Sequence, residues 1–202
     1  MIDRLARAAG RDVSRETLEK LETYAGLLVE ENNRQNLIAG STVSHLWERH
    51  IMDSAQLVRW EPRDGASWVD IGSGAGIPGI VIACLAEGPV TLVEPRRLRT
   101  DFLHRAIERL RINARVVVAK AERAEGHYEV ITGRAVASLS KFLEISAHLS
   151  TRNTVWALPK GRNARAELAE ATRTWQGVFH VQQSITDPES GIVIAQNVRP
   201  KT

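Results

Sequence analysis

The chain has 202 residues, 43% hydrophobic and 25% charged, the balance of a soluble globular protein large enough for one sizeable core and at most a small appendage. Its longest apolar run near the glycines is about seven residues, short of the ~18 that a bilayer span requires, and Met1–Arg7 carries acid and no signal-peptide core, so a cytoplasmic protein is expected. The single Cys84 excludes an internal disulfide and any multi-cysteine metal or iron–sulfur site, and with it radical chemistry; no histidine pair has helical metal-ligand spacing, so no metal is expected.

Ser14 is placed to cap a helix from about Arg15 to Asn33, whose apolar positions Leu18, Leu21, Ala25, Leu28 and Val29 fall mostly three or four apart. The polar run Asn32–Asn36 ends it. A second helix is expected from Ser41, carrying Val43, Leu46, Trp47, Ile51, Ala55 and Val58, and Pro62-Arg63-Asp64-Gly65 reads as a turn. Residues 1–65 are thus expected to form a helical cap on a core of residues 66–202.

From Ser67 onward strand and helix signals alternate. Strands are expected at 67–71, 90–94, 115–119, 128–132 and 153–158, with helices at 78–86, 97–111, 138–149 and 163–175. Two short strand-like runs, Val178–Val181 and Ile192–Ala195, close the chain as an antiparallel edge hairpin. The fold class is α/β: an open, mainly parallel sheet with helices on both faces.

The first strand ends in Trp68-Val69-Asp70-Ile71-Gly72-Ser73-Gly74-Ala75-Gly76-Ile77-Pro78-Gly79, and an apolar helix begins at once. Glycines permit the tight turn and a close approach of backbone to a cofactor, while Pro78 suits a first helical turn. The pattern has two readings. Gly72-x-Gly74-x-Gly76 fits S-adenosylmethionine (SAM) methyltransferases, and Gly74-x-Gly76-x-x-Gly79 fits the dinucleotide fingerprint of NAD(P)-dependent oxidoreductases. In either case Glu94, at the end of the second strand, would take ribose hydroxyls. Asp70 suits the cationic amino-acid end of SAM, and Pro78 removes an amide that a pyrophosphate would use.

Ligands of such sheets sit at the carboxyl ends of the strands. That singles out Asp70 to Ile77, Glu94, Ala121-Glu122 beside an adenine, Arg134 near the reactive end of the cofactor or the substrate, and Lys160 against RNA phosphate. Between Arg96 and Arg123 stand nine basic residues against three acidic ones, whereas residues 1–65 hold nine against eleven. Such an excess suits a phosphate-bearing partner, although a solvated helix face would look the same. No Asn/Asp-Pro-Pro-aromatic loop follows the fourth strand, as exocyclic-amine methylation usually requires. Cys84 lies within a helix and reads as a packed thiol rather than a nucleophile. An acceptor with a free lone pair, such as guanine N7, needs neither device.

The chain resembles the bacterial small-subunit ribosomal RNA methyltransferase G family, also called glucose-inhibited division protein B. The resemblance rests on Asn36-Leu37, Arg49-His50-Ile51-Met52-Asp53-Ser54, Asp70 to Gly79, Arg134-Ala135-Val136-Ala137-Ser138-Leu139 and Leu158-Pro159-Lys160-Gly161. It implies a class I, Rossmann-like SAM-dependent enzyme that methylates N7 of a guanine in 16S ribosomal RNA; the expected partner is the RNA or a small-subunit assembly intermediate, and the expected state is a monomer. By motif position it assigns Gly72, Ile77, Ala121, Glu122 and Arg134 to the cofactor, with Glu94 at the ribose. Gly74 and Gly76 complete the cofactor loop, and Arg49 and His50 fall near the same pocket on the substrate side. Asp187–Gly191 and Asn197–Pro200 differ from many members. A non-catalytic RNA-binding module is the remaining alternative.

Overall fold

The computed structural model describes residues 1–201. Seven strands form one sheet in the order β3-β2-β1-β4-β5-β7-β6. They are β1 (Trp68–Ile71), β2 (Val90–Val93), β3 (Ala114–Val117), β4 (Val130–Thr132), β5 (Val155–Gly161), β6 (Trp175–Gln183) and β7 (Gly191–Pro200). The first five run parallel, and β7 lies antiparallel between β5 and β6. The chain moves outward from β1 to β3 and then returns to lay β4 against the other side of β1. The order of strands therefore reverses at β1, which opens a crevice at its carboxyl end.

The helices are α1 (Ile2–Ala9), α2 (Arg15–Gln35), a single turn α3 (Asp53–Ala55), α4 (Gly79–Leu85), α5 (Arg97–Leu110), α6 (Leu139–Ser146) and α7 (Ala164–Ala171). One apolar core joins α1, α2, α4 and α5 to the sheet face carrying Trp68, Leu92, Val130 and Ala157. A second core joins α6 and α7 to the face carrying Val69, Ile71, Ile131 and Trp156. With both faces covered, β1, β2 and β4 are buried at every position, which explains why they are apolar except for Asp70, Thr91 and Thr132. The N-terminal helices share their core with α4 and α5, so they act as a layer of the sheet's covering.

Two regions depart from the expected elements. Helix α1 was not anticipated; Leu5, Ala8 and Ala9 are its buried stripe, and Gly10 ends it in the left-handed conformation. The single helix expected from Ser41 is instead four short pieces: a 3₁₀ helix Gly40–His45, a π-helical turn Trp47–Met52, α3, and a 3₁₀ helix Gln56–Trp60. Two side chains compete for its main-chain carbonyls. Ser54 Oγ donates to His50 O (2.6 Å), and Arg134 Nη1 donates to Arg49 O (2.9 Å). Single π-turns of this kind are frequent where a helix lines a functional site. The closing hairpin is longer than expected, because β6 and β7 pair along almost their full length.

Candidate active site

The corner between β1 and α4 is held from three sides. Gly72, Gly74 and Gly76 have φ of 68°, 53° and 86°, values that favour glycine. From β2, Glu94 accepts Gly74 N–H on Oε2 (2.9 Å) and Arg96 N–H on Oε1 (2.9 Å), so one carboxylate spans the corner and the start of α5. From α2, the buried Tyr24 hydroxyl donates to Ala75 O (2.7 Å). Beneath the corner, the fully buried Asp70 accepts Gly79 N–H on Oδ2 (3.1 Å), while its Oδ1 has no hydrogen-bond partner. A side chain at position 79 would stand 2.6 Å from that Oδ2, so glycine is required for α4 to start there.

Burial pushes the Asp70 carboxyl up to about 7, with Ser73, Gly79 N–H and Arg134 opposing the rise and the nearby Glu94 carboxylate adding to it. The buried carboxylate thus keeps one oxygen without a hydrogen bond beneath the glycine corner.

Above the corner lies a cleft of about 280 Å³ whose walls include Gly72, Glu94, Ala121, Glu122 and Val136. Val136 rests on the corner; its Cγ2 would stand 2.8 Å from a Cβ on Gly72, so the absence of a side chain at 72 is what lets the two approach. The loop carrying Val136 also carries Ala135, a wall of both this cleft and a second cavity of about 520 Å³. Arg49, His50, Asp53, Arg134 and Lys160 line that second cavity. The expected site residues therefore divide. Gly72, Glu94, Ala121 and Glu122 face the first space, and Arg49, His50, Arg134 and Lys160 face the second. Asp70, Gly74, Gly76 and Ile77 build the corner from below.

Arg134 is the centre of the second group. Its Nη1 donates to Arg49 O and lies 3.4 Å from Asp53 Oδ2, and its Nη2 lies 2.5 Å from His50 Nδ1. A guanidinium can only donate, so Nδ1 accepts and the proton of His50 sits on Nε2, 2.9 Å from Thr42 Oγ1. Thr42 Oγ1 in turn donates to Ala39 O (2.7 Å), and the chain of donors closes consistently. Burial, then the charges of Arg134 and Arg49, hold His50 down at about 4, so the ring is neutral. Nε–H and one Nη2–H of Arg134 have no partner among the described residues.

Asp53 ties this group to the closing hairpin. Its Oδ1 accepts from Thr186 Oγ1 (2.8 Å), Ser184 Oγ (3.2 Å) and Gln56 Nε2 (2.9 Å). His50 and Asp53, three residues apart, meet through Arg134 rather than each other. Lys160 is pinned in place: its Nζ donates to Ala137 O (2.6 Å) and pairs with Glu167 (3.1 Å), leaving its side chain 8% exposed.

Tyr24, Thr42, Ser184 and Thr186 were not singled out from the sequence. Ser184 and Thr186 lie more than 120 residues from Asp53, and nothing local marks them. The basic excess between Arg96 and Arg123 is split by the fold. Since α5 joins two parallel neighbours it runs against them, so Arg96, Arg99 and Lys120 rim the cleft while Arg109 and Arg111 lie at the far end of the sheet. Cys84 packs against the core and burial pushes its thiol up to about 12, so it supplies no thiolate at neutral pH. Among the described residues no cluster of metal-binding side chains occurs, and no helix is long and apolar enough to cross a membrane.

Among solved structures, the chain is similar to a SAM-dependent methyltransferase from Aquifex aeolicus, at a TM-score of 0.59 and 13% identity over 79% of this chain and 99% of that one. It is similar also to the ribosomal protein L11 methylase of Lactobacillus delbrueckii subsp. bulgaricus (TM-score 0.59, 11% identity, 76% of this chain and 79% of that one). At those identities the likeness establishes the fold, a class I methyltransferase sheet. Sequence relatives go further. The protein named ribosomal RNA small subunit methyltransferase G in Novosphingobium aromaticivorans is 47% identical over 89% of this chain and 80% of that protein. Its namesake in Rhizorhabdus wittichii is 46% identical over 100% and 95%. The family model described as rRNA small subunit methyltransferase G matches residues 17–191, and the chain belongs to that family.

Proposed function

We propose that this chain transfers a methyl group from SAM to N7 of a guanine in 16S ribosomal RNA. The observation that carries the cofactor half is the bare, fully buried Oδ1 of Asp70 under a glycine corner that Glu94 spans. SAM, when bound, supplies an electrophilic methyl on sulfur. Glu94, whose oxygens each hold one backbone N–H, accepts the ribose hydroxyls with its remaining lone pairs. Ala121 and Glu122 flank the adenine. Asp70 takes the ammonium, and the two free donors of Arg134 take the carboxylate. The dinucleotide reading loses ground here, because a buried anion below the corner opposes a pyrophosphate.

The acceptor half rests on the family match and on the chemistry of N7 itself. The purine N7 carries a lone pair and no proton; it attacks the methyl carbon, the carbon–sulfur bond pair stays with sulfur, and the ring takes up the positive charge. No base is needed at the acceptor. His50, neutral and fully engaged on both nitrogens, offers none, and Cys84 offers no thiolate. The residues thus align the two partners across the Ala135 junction and exclude water, which supplies much of the acceleration. Incubating the protein with small ribosomal subunits and labelled SAM should yield 7-methylguanosine in digested 16S RNA. Label in another nucleoside, or none, overturns the proposal.

A further inference from the structure

The cavity beside Arg134 has three carboxylates in its wall: Asp53, Glu167 and Asp187. Two have both oxygens engaged. Asp53 holds Arg134 on one side and Gln56, Ser184 and Thr186 on the other. Asp187 accepts Glu189 N–H on Oδ1 and Ser190 Oγ–H on Oδ2, with Arg49 Nη1 3.6 Å from that oxygen. Glu167 differs. Its Oε2 accepts Leu139 N–H (2.7 Å) and pairs with Lys160 (3.1 Å), and its Oε1 has no partner among the described residues. Its side chain stays 26% exposed.

We propose that Glu167 is a specificity-determining residue, whose free Oε1 accepts hydrogen bonds from N1–H and the N2 amine of the target guanine. This rests on the guanine-N7 reading above. The Watson–Crick edge of guanine offers two adjacent donors to a carboxylate, whereas adenine presents an acceptor at N1 and is repelled. N7 methylation places a positive charge on the purine, which makes N1–H more acidic. A carboxylate on that edge therefore binds the transition state more tightly than the ground state. The residue is also pre-set: α6 fixes it through Leu139 N–H, and Lys160, itself held at Ala137 O, fixes the same oxygen, so Oε1 is the one left to turn to a ligand.

The test uses 16S RNA ligated to carry guanosine or inosine, which lacks the N2 amine, at the methylated position. Product mapping, kcat/KM, S-adenosylhomocysteine affinity and melting temperature are measured for wild type, Glu167→Gln and Glu167→Asp. Wild type should lose roughly tenfold on inosine. Glu167→Gln should fall roughly 10- to 100-fold on guanosine, the range of one good base-edge contact, and lose little more on inosine. Its cofactor affinity should hold even where loss of the Lys160 pair lowers the melting temperature, and Glu167→Asp should recover part of the rate. Full activity in Glu167→Gln, an undiminished inosine penalty in it, or a loss of cofactor affinity in step with activity overturns this inference alone. Absence of 7-methylguanosine from the wild-type reaction overturns the guanine reading as well.

Discussion

Asp70 is the residue at which stability and binding pull against each other. In the folded chain its carboxyl titrates near 7, against about 3.9 when unfolded. Between those values the folded state keeps a proton that the unfolded chain has lost. Its contribution is therefore full below about pH 4 and disappears as the pH rises to 7, by roughly 4 kcal/mol at most. Asp70→Asn should remove that loss: melting temperature at pH 8 should rise relative to wild type, with little difference at pH 4, and S-adenosylhomocysteine should bind more weakly. Parallel pH profiles of the two proteins would contradict this placement. An ammonium ligand lowers the carboxyl's affinity for its proton, so wild-type cofactor binding should release protons near neutrality, readable from calorimetry in buffers of different ionisation enthalpy. Arg134→Ala leaves His50 Nδ1 and Asp53 short of a donor, a cost of about 1–3 kcal/mol. Its turnover should fall at least 100-fold, more than that cost explains; a rate loss matched by the drop in melting temperature would make Arg134 structural.

The stretch 40–60 decides whether those residues meet. Its π-turn frees Arg49 O for Arg134, and α3 sets Asp53 between Arg134 and the hairpin turn at Ser184 and Thr186. Asp53→Ala should loosen both partners: faster proteolysis at 184–190, at least tenfold lower kcat/KM on RNA, and cofactor affinity within a few-fold of wild type. Asp53→Asn, which keeps an acceptor for the two hydroxyls, should restore protease resistance more than activity. Equal recovery of both would contradict a role through Arg134. The apolar spacing of Val43, Leu46, Ile51, Ala55 and Val58 marked this stretch as helical and buried. Spacing does not report competition for carbonyls, because the competitor, Arg134, lies 85 residues away from Arg49. Strands β1, β2 and β4 were readable for the opposite reason: burial on both faces leaves a mostly apolar run, closed by Gly72, Glu94 and Gly133 respectively. The α1 stripe of one leucine and two alanines is too weak a periodic signal beside three charged neighbours.

At the level of the whole molecule, charge and topology work together. Parallel strands place Arg96, Arg99 and Lys120 on the rim of the cleft and send Arg109 and Arg111 to the far end. Reversing the first three to Glu should weaken RNA binding and flatten its salt dependence by ~0.7 for each phosphate no longer neutralised; reversing Arg109 and Arg111 should change neither. Equal effects would mean that the whole basic segment faces RNA. The cofactor corner was plain in the chain, since glycines, Asp70 and Glu94 lie within 25 residues and follow one strand–helix–strand unit. The second cavity was not, because its walls come from five separate stretches that only the hairpin's return brings together. The most direct measurement is a crystal structure with S-adenosylhomocysteine. It should show the ribose on Glu94, the ammonium on Asp70 Oδ1 and the sulfur facing the Arg134 cavity past Ala135. The ligand lying elsewhere, or Asp70 Oδ1 still bare beneath it, would contradict the account.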